Sequence, residues 1–260
     1  MQDWDPQLYR RFEKERSRPA YELISRIDLS HPQRITDLGC GPGNSTEGLL
    51  RRYPGAAITG IDSSDAMLAS ARQRLPGCRF EPADISHWQP EAPQDVIYAN
   101  ASLQWVPDHQ TLLPKLMSYI APGGALAIQM PDNREEPTHQ LMRQLAGQSP
   151  WQSVIGDGAQ LRVKILGAND YYDLLAPAAH VDLWRTTYFH VMPSVDAIIE
   201  WVKSTGLRPF LEPLDDRMRE SYLARYRQLL SLAYPVRADG SVILSFPRLF
   251  MVAARKNLQY

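Results

Sequence analysis

From Gln33 onward, short apolar runs alternate with stretches spaced like amphipathic helices, the pattern of βαβ units feeding a parallel sheet. Residues 34–38 predict a first strand, and Asn44-Ser45-Thr46-Glu47 ahead of Leu49 and Leu50 predicts a capped helix start. A second strand follows at 57–61. Ser64 then caps a helix carrying Met67, Leu68, Ala71 and Leu75 on one face, and Pro76-Gly77 stops it. Residues 78–80 predict a short third strand, 95–99 a fourth and 110–120 a helix; after the turn Pro122-Gly123-Gly124, residues 125–130 predict a fifth strand.

Beyond Pro131 the alternation gives way to longer helical patterns rich in aromatics, and strand signals return only at 181–192 and 248–254. These last two strands are expected to complete the same sheet. The stretches of about 133–180 and 194–240 are then expected to be helices laid over the ligand edge as a cap, because a sheet alone encloses no substrate. On this reading residues 1–260 form a single α/β domain whose ligand-binding core spans about 20–132.

Hydrophobic residues make up 44% of the chain and charged residues 22%, an ordinary globular mix that excludes disorder of the whole chain. Lys and Arg number 28 against 29 Asp and Glu, a net charge of −1. That balance offers no footprint for a polyanion, so nucleic acid is not an expected partner. The charge is uneven, however. Residues 1–160 hold 15 bases and 19 acids, while 161–260 hold 13 and 10, so the C-terminal part is a candidate to face an anion; the ordinary alternative is fluctuation in solvated surface charge. The longest uncharged stretch, 116–131, is shorter than the roughly 20 residues of a membrane helix and is broken by Pro-Gly-Gly, so no membrane span is expected. The first 19 residues mix acids and bases and lack the apolar core of a secretory signal, which points to a cytoplasmic location. Cys40 and Cys78 offer neither a disulfide framework nor the spacing of a zinc site, and no metal is expected.

The informative segment is Asp37-Leu38-Gly39-Cys40-Gly41-Pro42-Gly43, at the junction of the first strand and the first helix. Glycines there let the backbone turn tightly and approach a ligand without Cβ clashes. A dinucleotide fingerprint requires G-x-G-x-x-G, but position 44 is Asn and the third glycine comes one residue early, which disfavours a pyrophosphate. Asp37 adds to this, since an acid at the strand end repels a pyrophosphate and suits a cationic or amine-bearing ligand.

The segment resembles the first motif of class I S-adenosylmethionine-dependent methyltransferases, and later segments agree with that family in order and spacing. The resemblance implies a Rossmann-like fold with a seven-stranded, mostly parallel sheet, helices on both faces and an antiparallel last strand. It also implies S-adenosyl-L-methionine as cofactor and S-adenosyl-L-homocysteine as product, with Asp37, Gly39 and Gly41 at the cofactor. Asp62, in Gly60-Ile61-Asp62-Ser63-Ser64, by resemblance bonds the two ribose hydroxyls; two carboxylate oxygens suit a vicinal diol. It is expected to hold up no core, so that losing it weakens cofactor binding and spares the fold. Ala83-Asp84-Ile85 resembles the adenine contact, with Asp84 accepting from the exocyclic amine and Ile85 lending a backbone group. Ser63, Met67 and Asn100 complete the implied cofactor set. Each acid alone is more often a helix cap or a solvated residue; the glycine loop and the three acids together carry the assignment.

A narrower resemblance rests on the run from Ala99 to His109, on Trp4-Asp5-Pro6-x-x-Tyr9 and on Ser245-Phe246-Pro247-Arg248-Leu249-Phe250. These segments are similar to a branch of the family that esterifies one carboxylate of a small polycarboxylic acid, and the similarity spans nearly the whole chain apart from the tail 257–260. Because the family's last strand is antiparallel, its beginning lies at the ligand edge. That implies a place near the site for Arg248, and for His190 at the exit of the preceding strand. Arg binds carboxylate bidentately through its planar fork, which makes Arg248 the leading acceptor anchor. Trp4, Tyr9, Trp105, Trp151, Tyr171 and Tyr172 are candidates to wall the acceptor and exclude water, with the tyrosines donating to its oxygens; core or cap packing is the plain alternative for each. A carboxylate of pKa ~4 is ionised at neutral pH, so no general base is expected and catalysis reduces to positioning. Two other readings stay open here: a different small-molecule or carrier-bound carboxylate as acceptor, and a cofactor-binding protein without catalysis. No obligate protein partner is evident.

Overall fold

A computed structural model describes residues 13–161, 163–203 and 205–257. Its strands are β1 (Arg34–Leu38), β2 (Ala57–Asp62), β3 (Arg79–Pro82), β4 (Gln94–Asn100), β5 (Ile120–Pro131), β6 (Ala179–Met192) and β7 (Val242–Arg255). Its helices are α1 (Glu13–Ser25), α2 (Asn44–Arg52), α3 (Asp65–Arg74), α4 (His109–Ser118), α5 (Pro137–Ala146), α6 (Gln152–Ile155), α7 (Ala168–Leu175), α8 (Val195–Lys203), α9 (Arg208–Leu211) and α10 (Asp216–Ala233). The strands form one seven-stranded sheet in the order β3-β2-β1-β4-β5-β7-β6. β1 to β5 pair in parallel, which requires crossover connections rather than hairpins. β7 runs the other way. Asp132 N donates to Pro247 O at 2.9 Å just past the end of β5, whereas the Arg255 guanidinium donates to Ile120 O at its start. Lys256 N donates to Ala178 O at 3.0 Å, joining the end of β7 to the start of β6.

The chain divides into two compact units, one of residues 1–131, 165–186 and 249–260, the other of 132–164 and 187–248, with β6 and β7 passing from one into the other. In the first unit, strand alternation sorts side chains to two faces. Ile97 and Ala99 of β4, Leu126 and Ile128 of β5, and Leu249 and Met251 of β7 share a buried cluster with Leu112, Leu113 and Leu116 of α4 and Leu175 of α7. Tyr98, of opposite parity, sends its hydroxyl to Ala20 O of α1 at 2.9 Å. Glu22 of α1 accepts from Trp184 Nε1 at 3.0 Å and Thr186 Oγ1 at 2.8 Å, and Trp184 stacks on Phe250 at 4.9 Å, so side chains tie edge strand β6 to the sheet. In the second unit α10 packs on α5 through two buried hydroxyls, Tyr222 to Met142 O at 2.8 Å and Tyr226 to Thr138 O at 2.9 Å. Trp151 packs there as well, its Nε1 donating to Met218 O at 3.2 Å. Among the described residues no helix is long and apolar enough to cross a membrane.

Three local features depart from the sequence reading. α1 forms in a charge-rich stretch because Ala20, Leu23 and Ile24 bury at i, i+3 and i+4, with Ile27 buried just past its end. α2 is capped by Gly43 at φ 89° with no side-chain cap, so Asn44-Ser45-Thr46 is not a capping motif. β5 begins at Ile120, ahead of the expected turn. Gln94 pairs with Ile120 and Val96 with Ala125, so residues 121–124 bulge opposite Asp95. A Cβ on Gly124 would lie 2.6 Å from Asp95 O, which is why that approach requires glycine.

Removing the Tyr98 hydroxyl takes from the Ala20 carbonyl a donor that adds to the helix's own. Tyr98→Phe is expected to lower the unfolding free energy by about 0.5 to 1.5 kcal/mol, read as a lower urea midpoint with an unchanged slope. An unchanged midpoint would mean that this bond does not hold α1.

Candidate active site

β1 delivers Asp37 fully buried into the turn before α2. Its Oδ2 accepts from Ser45 Oγ and Thr46 Oγ1, both at 2.7 Å, and its Oδ1 is buried with no donor. The polar residues that open α2 therefore serve the carboxylate and not the helix end. Burial pushes the Asp37 carboxyl up to about 6, against the pull of the two hydroxyls and with a further push from the charge of Asp62. Gly39, at φ 72°, leaves no room for a side chain, because a Cβ there would lie 2.3 Å from that of Ser102. Gly41, at φ 54°, faces open space. Between them, burial and the nearby Asp37 push the Cys40 thiol far above its usual range, so it is no nucleophile.

Asp62, expected to hold up no core, makes bonds within the fold as well. Its Oδ2 accepts from Gly41 N and its Oδ1 from Ser64 N, each at 2.9 Å, so it fastens the glycine loop to the end of β2. Ser64 caps α3 as expected, accepting from Met67 N at 3.2 Å; Met67 is buried and Ser63 is exposed. Asp84 is exposed, and the Ser86 N–H it accepts at 2.8 Å holds its carboxyl below the usual range. Ile85 packs half-buried against the main core.

Asn100 ends β4 opposite Gln129 of β5, and its Oδ1 is buried without a donor. Asp37 and Asn100 thus present two donorless oxygens at the carboxyl ends of the neighbouring strands β1 and β4. A pyrophosphate brings more acceptors and more negative charge, and does not fit. An ammonium brings several donors and the opposite charge. The ammonium and vicinal diol of S-adenosylmethionine suit this donor and acceptor set.

After β4 the chain is strained. Ala101 sits at φ 53°, a region costing a non-glycine residue about 1 to 2 kcal/mol. It is held there by Ala101 N donating to Gln129 O at 2.8 Å and Gln104 Nε2 donating to Ala101 O at 2.7 Å. Ser102, clamped against Gly39, donates to Leu38 O at 2.7 Å. Gln104, with its Oε1 buried and donorless, was not singled out from sequence; its only signal is its place in the run from Ala99 to His109. Trp105 closes the 3-10 turn 103–105 and is half-buried.

His109 Nε2 lies 2.8 Å from Leu103 O, which can only accept, so Nδ1 takes the proton of the Tyr171 hydroxyl at 2.6 Å. The Tyr171 oxygen also accepts from Leu166 N at 3.2 Å. Tyr171 is therefore a core residue with its hydroxyl engaged, which corrects its expected role as a donor to the acceptor; Tyr172 beside it is exposed. In the second unit, His190 is buried between Trp201 at 4.9 Å and Phe246 at 5.9 Å, and the Arg248 guanidinium lies 4.6 Å over the Phe246 ring. Trp4 and Tyr9 lie outside the described residues. Among the described residues no cluster of side chains could hold a metal ion.

The raised Asp37 carboxyl sets a pH dependence. Its folded value of about 6 lies above the ordinary 3.8, so the penalty for ionising it is absent below about pH 4 and fully present above about pH 6. Relative to the wild type, Asp37→Asn is expected to gain stability by up to about 3 kcal/mol as the pH rises through that window. Urea unfolding at a series of pH values measures the gap; a gap independent of pH would show that Asp37 titrates normally.

Residues 35–124 match the model of a methyltransferase domain. A trans-aconitate 2-methyltransferase of Paracidovorax citrulli is 59% identical over 98% of this chain and 99% of its own length. One of Yersinia pestis is 57% identical over 97% and 98%. Among solved structures, the YcgJ protein of Bacillus subtilis has a TM-score of 0.59 at 11% identity, covering 92% of this chain and 99% of its own. Phosphoethanolamine N-methyltransferase 2 of Haemonchus contortus, in complex with S-adenosyl-L-methionine, has a TM-score of 0.55 at 14% identity, covering 92% of this chain and 53% of its own. The structural likenesses show the fold, and the near full-length identity shows the family: the chain belongs to the trans-aconitate 2-methyltransferase family of S-adenosylmethionine-dependent methyltransferases.

Proposed function

We propose that the enzyme transfers a methyl group from S-adenosylmethionine to one carboxylate of trans-aconitate, giving a monomethyl ester. The names of the near full-length relatives support this acceptor. The structural observation that carries it is Arg248, a guanidinium 3% exposed and stacked 4.6 Å over Phe246. Burial and the ring contact restrain the guanidinium, and a restrained fork suits a carboxylate with two parallel bonds.

When bound, the cofactor supplies a methyl group on a positively charged sulfur. Asp37 and Asn100 hold its ammonium, Asp62 its ribose diol and Asp84 its exocyclic amine, while Ser63, Met67 and Ile85 line it. Gly39 and Gly41 keep the backbone close. Arg248 orients the acceptor, with His190 as a further contact. No residue has to remove a proton, because the acceptor carboxylate is already ionised at neutral pH. The chain's task is alignment, which in favourable cases lowers a barrier by ~7 to 11 kcal/mol. A free small acid needs no macromolecular partner, and the proposed compartment is the cytoplasm.

Mass spectrometry of the purified enzyme with S-adenosylmethionine and a panel of acids tests this. Trans-aconitate is expected to be esterified, and each loss of a paired carboxylate to cost ~2 to 5 kcal/mol in kcat/KM. A monoacid esterified as well as the triacid would overturn the polycarboxylate reading, and cofactor binding with no turnover of any acid would overturn the enzymatic one. Arg248→Lys keeps the charge and loses the fork, so kcat/KM for trans-aconitate should fall about ten- to a hundredfold with affinity for S-adenosylhomocysteine unchanged. Wild-type kcat/KM in that variant would remove Arg248 as the anchor.

A further inference from the structure

We infer that the carboxamide of Asn133 is a second carboxylate-binding group of the acceptor site and sets specificity for the polyacid; this rests on the polycarboxylate reading above. Asp132 N donates to Pro247 O at 2.9 Å; on these antiparallel segments Asn133 and Arg248 lie one step to either side of that bond, on the same face. Both are more than nine-tenths buried, at 4% and 3% exposure. An Asn in a turn before a helix ordinarily spends its side chain on a backbone N–H two or three residues on. Asn133 does not. Glu136 N is taken by the backbone oxygen of Asn133 itself at 3.1 Å, and Glu136 rather than Asn133 caps α5.

Among the described residues the Asn133 carboxamide has no hydrogen-bond partner, although Asn133 is 4% exposed. The nearby cations on the same stretch are committed elsewhere: the Arg134 guanidinium to Ala159 O at 2.8 Å, that of Arg143 to Arg134 O at 2.7 Å and to Glu135. The amide is thus the donor that this segment offers beside Arg248. It gives a carboxylate N–H donors without neutralising it. A buried donor left unpaired by an analogue lacking that carboxylate penalises the analogue, so Asn133 discriminates where Arg248 anchors.

Steady-state kinetics of the full-length enzyme test the inference, with wild type, Asn133→Ala and the isosteric Asn133→Asp assayed on trans-aconitate and on diacids lacking each carboxylate in turn. Asn133→Ala is expected to raise KM for trans-aconitate about ten- to a hundredfold with kcat nearly kept. Asn133→Asp should raise it further, because it sets a like charge against the acid. Affinity for S-adenosylhomocysteine and the melting temperature should hold in at least one variant. On the diacid that lacks the carboxylate read by Asn133, wild type and Asn133→Ala should be equal. An unchanged KM in both variants, or an equal loss on every acid as from a merely structural role, overturns the inference while leaving the polycarboxylate reading standing. A wild type that esterifies no polyacid defeats both.

Discussion

A carboxylate taken out of water at the end of β1 is the constraint on which the cofactor end of the molecule depends. Keeping Asp37 ionised at neutral pH costs about 3 kcal/mol against its free value, since its carboxyl is pushed up to about 6. Everything near it reduces that penalty or is shaped by it. Ser45 and Thr46 turn their hydroxyls inward from the first turn of α2, which fixes how the glycine loop enters the helix. Asp62 on β2 fastens the same loop through Gly41 N, and Ser102 beyond β4 closes over Gly39 and bonds Leu38 O. Elements after three strands therefore converge on one turn and leave the Asp37 Oδ1 acceptor buried without a donor.

The two substrates call for opposite chemistry. A cationic cofactor suits a first unit whose candidate ligands include the acids Asp37, Asp62 and Asp84. An anionic acceptor suits Arg248 and Asn133 of the second unit. The sequence carries the same contrast in coarse form, with a net −4 over residues 1–160 and +3 over 161–260. The other described Lys and Arg of the second stretch are exposed or half-buried, however, and among the described residues Arg248 is its one buried guanidinium.

What was legible in the sequence follows from where each signal is stored. β1, β2, β4 and the second half of β7 could be read because buried strands are apolar runs, and Ser64 because its cap bond is local. The glycine loop was legible since positive φ at Gly39 and Gly41 demands that residue type. Features settled by distant partners were not. Ser45 and Thr46 read as a cap because their true acceptor lies eight and nine residues upstream. Tyr171 read as a ligand contact because its partner His109 is 62 residues away. Asp62 carries a role that only backbone geometry reveals, and α1 hid an apolar stripe among charges.

The central claim is that the donorless oxygen of Asp37 receives the ammonium of the cofactor. Calorimetry of S-adenosylhomocysteine binding in buffers of different ionisation enthalpy tests it most directly. A cation drawn to a carboxyl of pKa about 6 drives its ionisation. Binding at pH 6 should then release on the order of half a proton, binding at pH 8 almost none, and Asp37→Asn should abolish the release. Binding at pH 6 without proton release, or with the same release in the variant, would contradict the account.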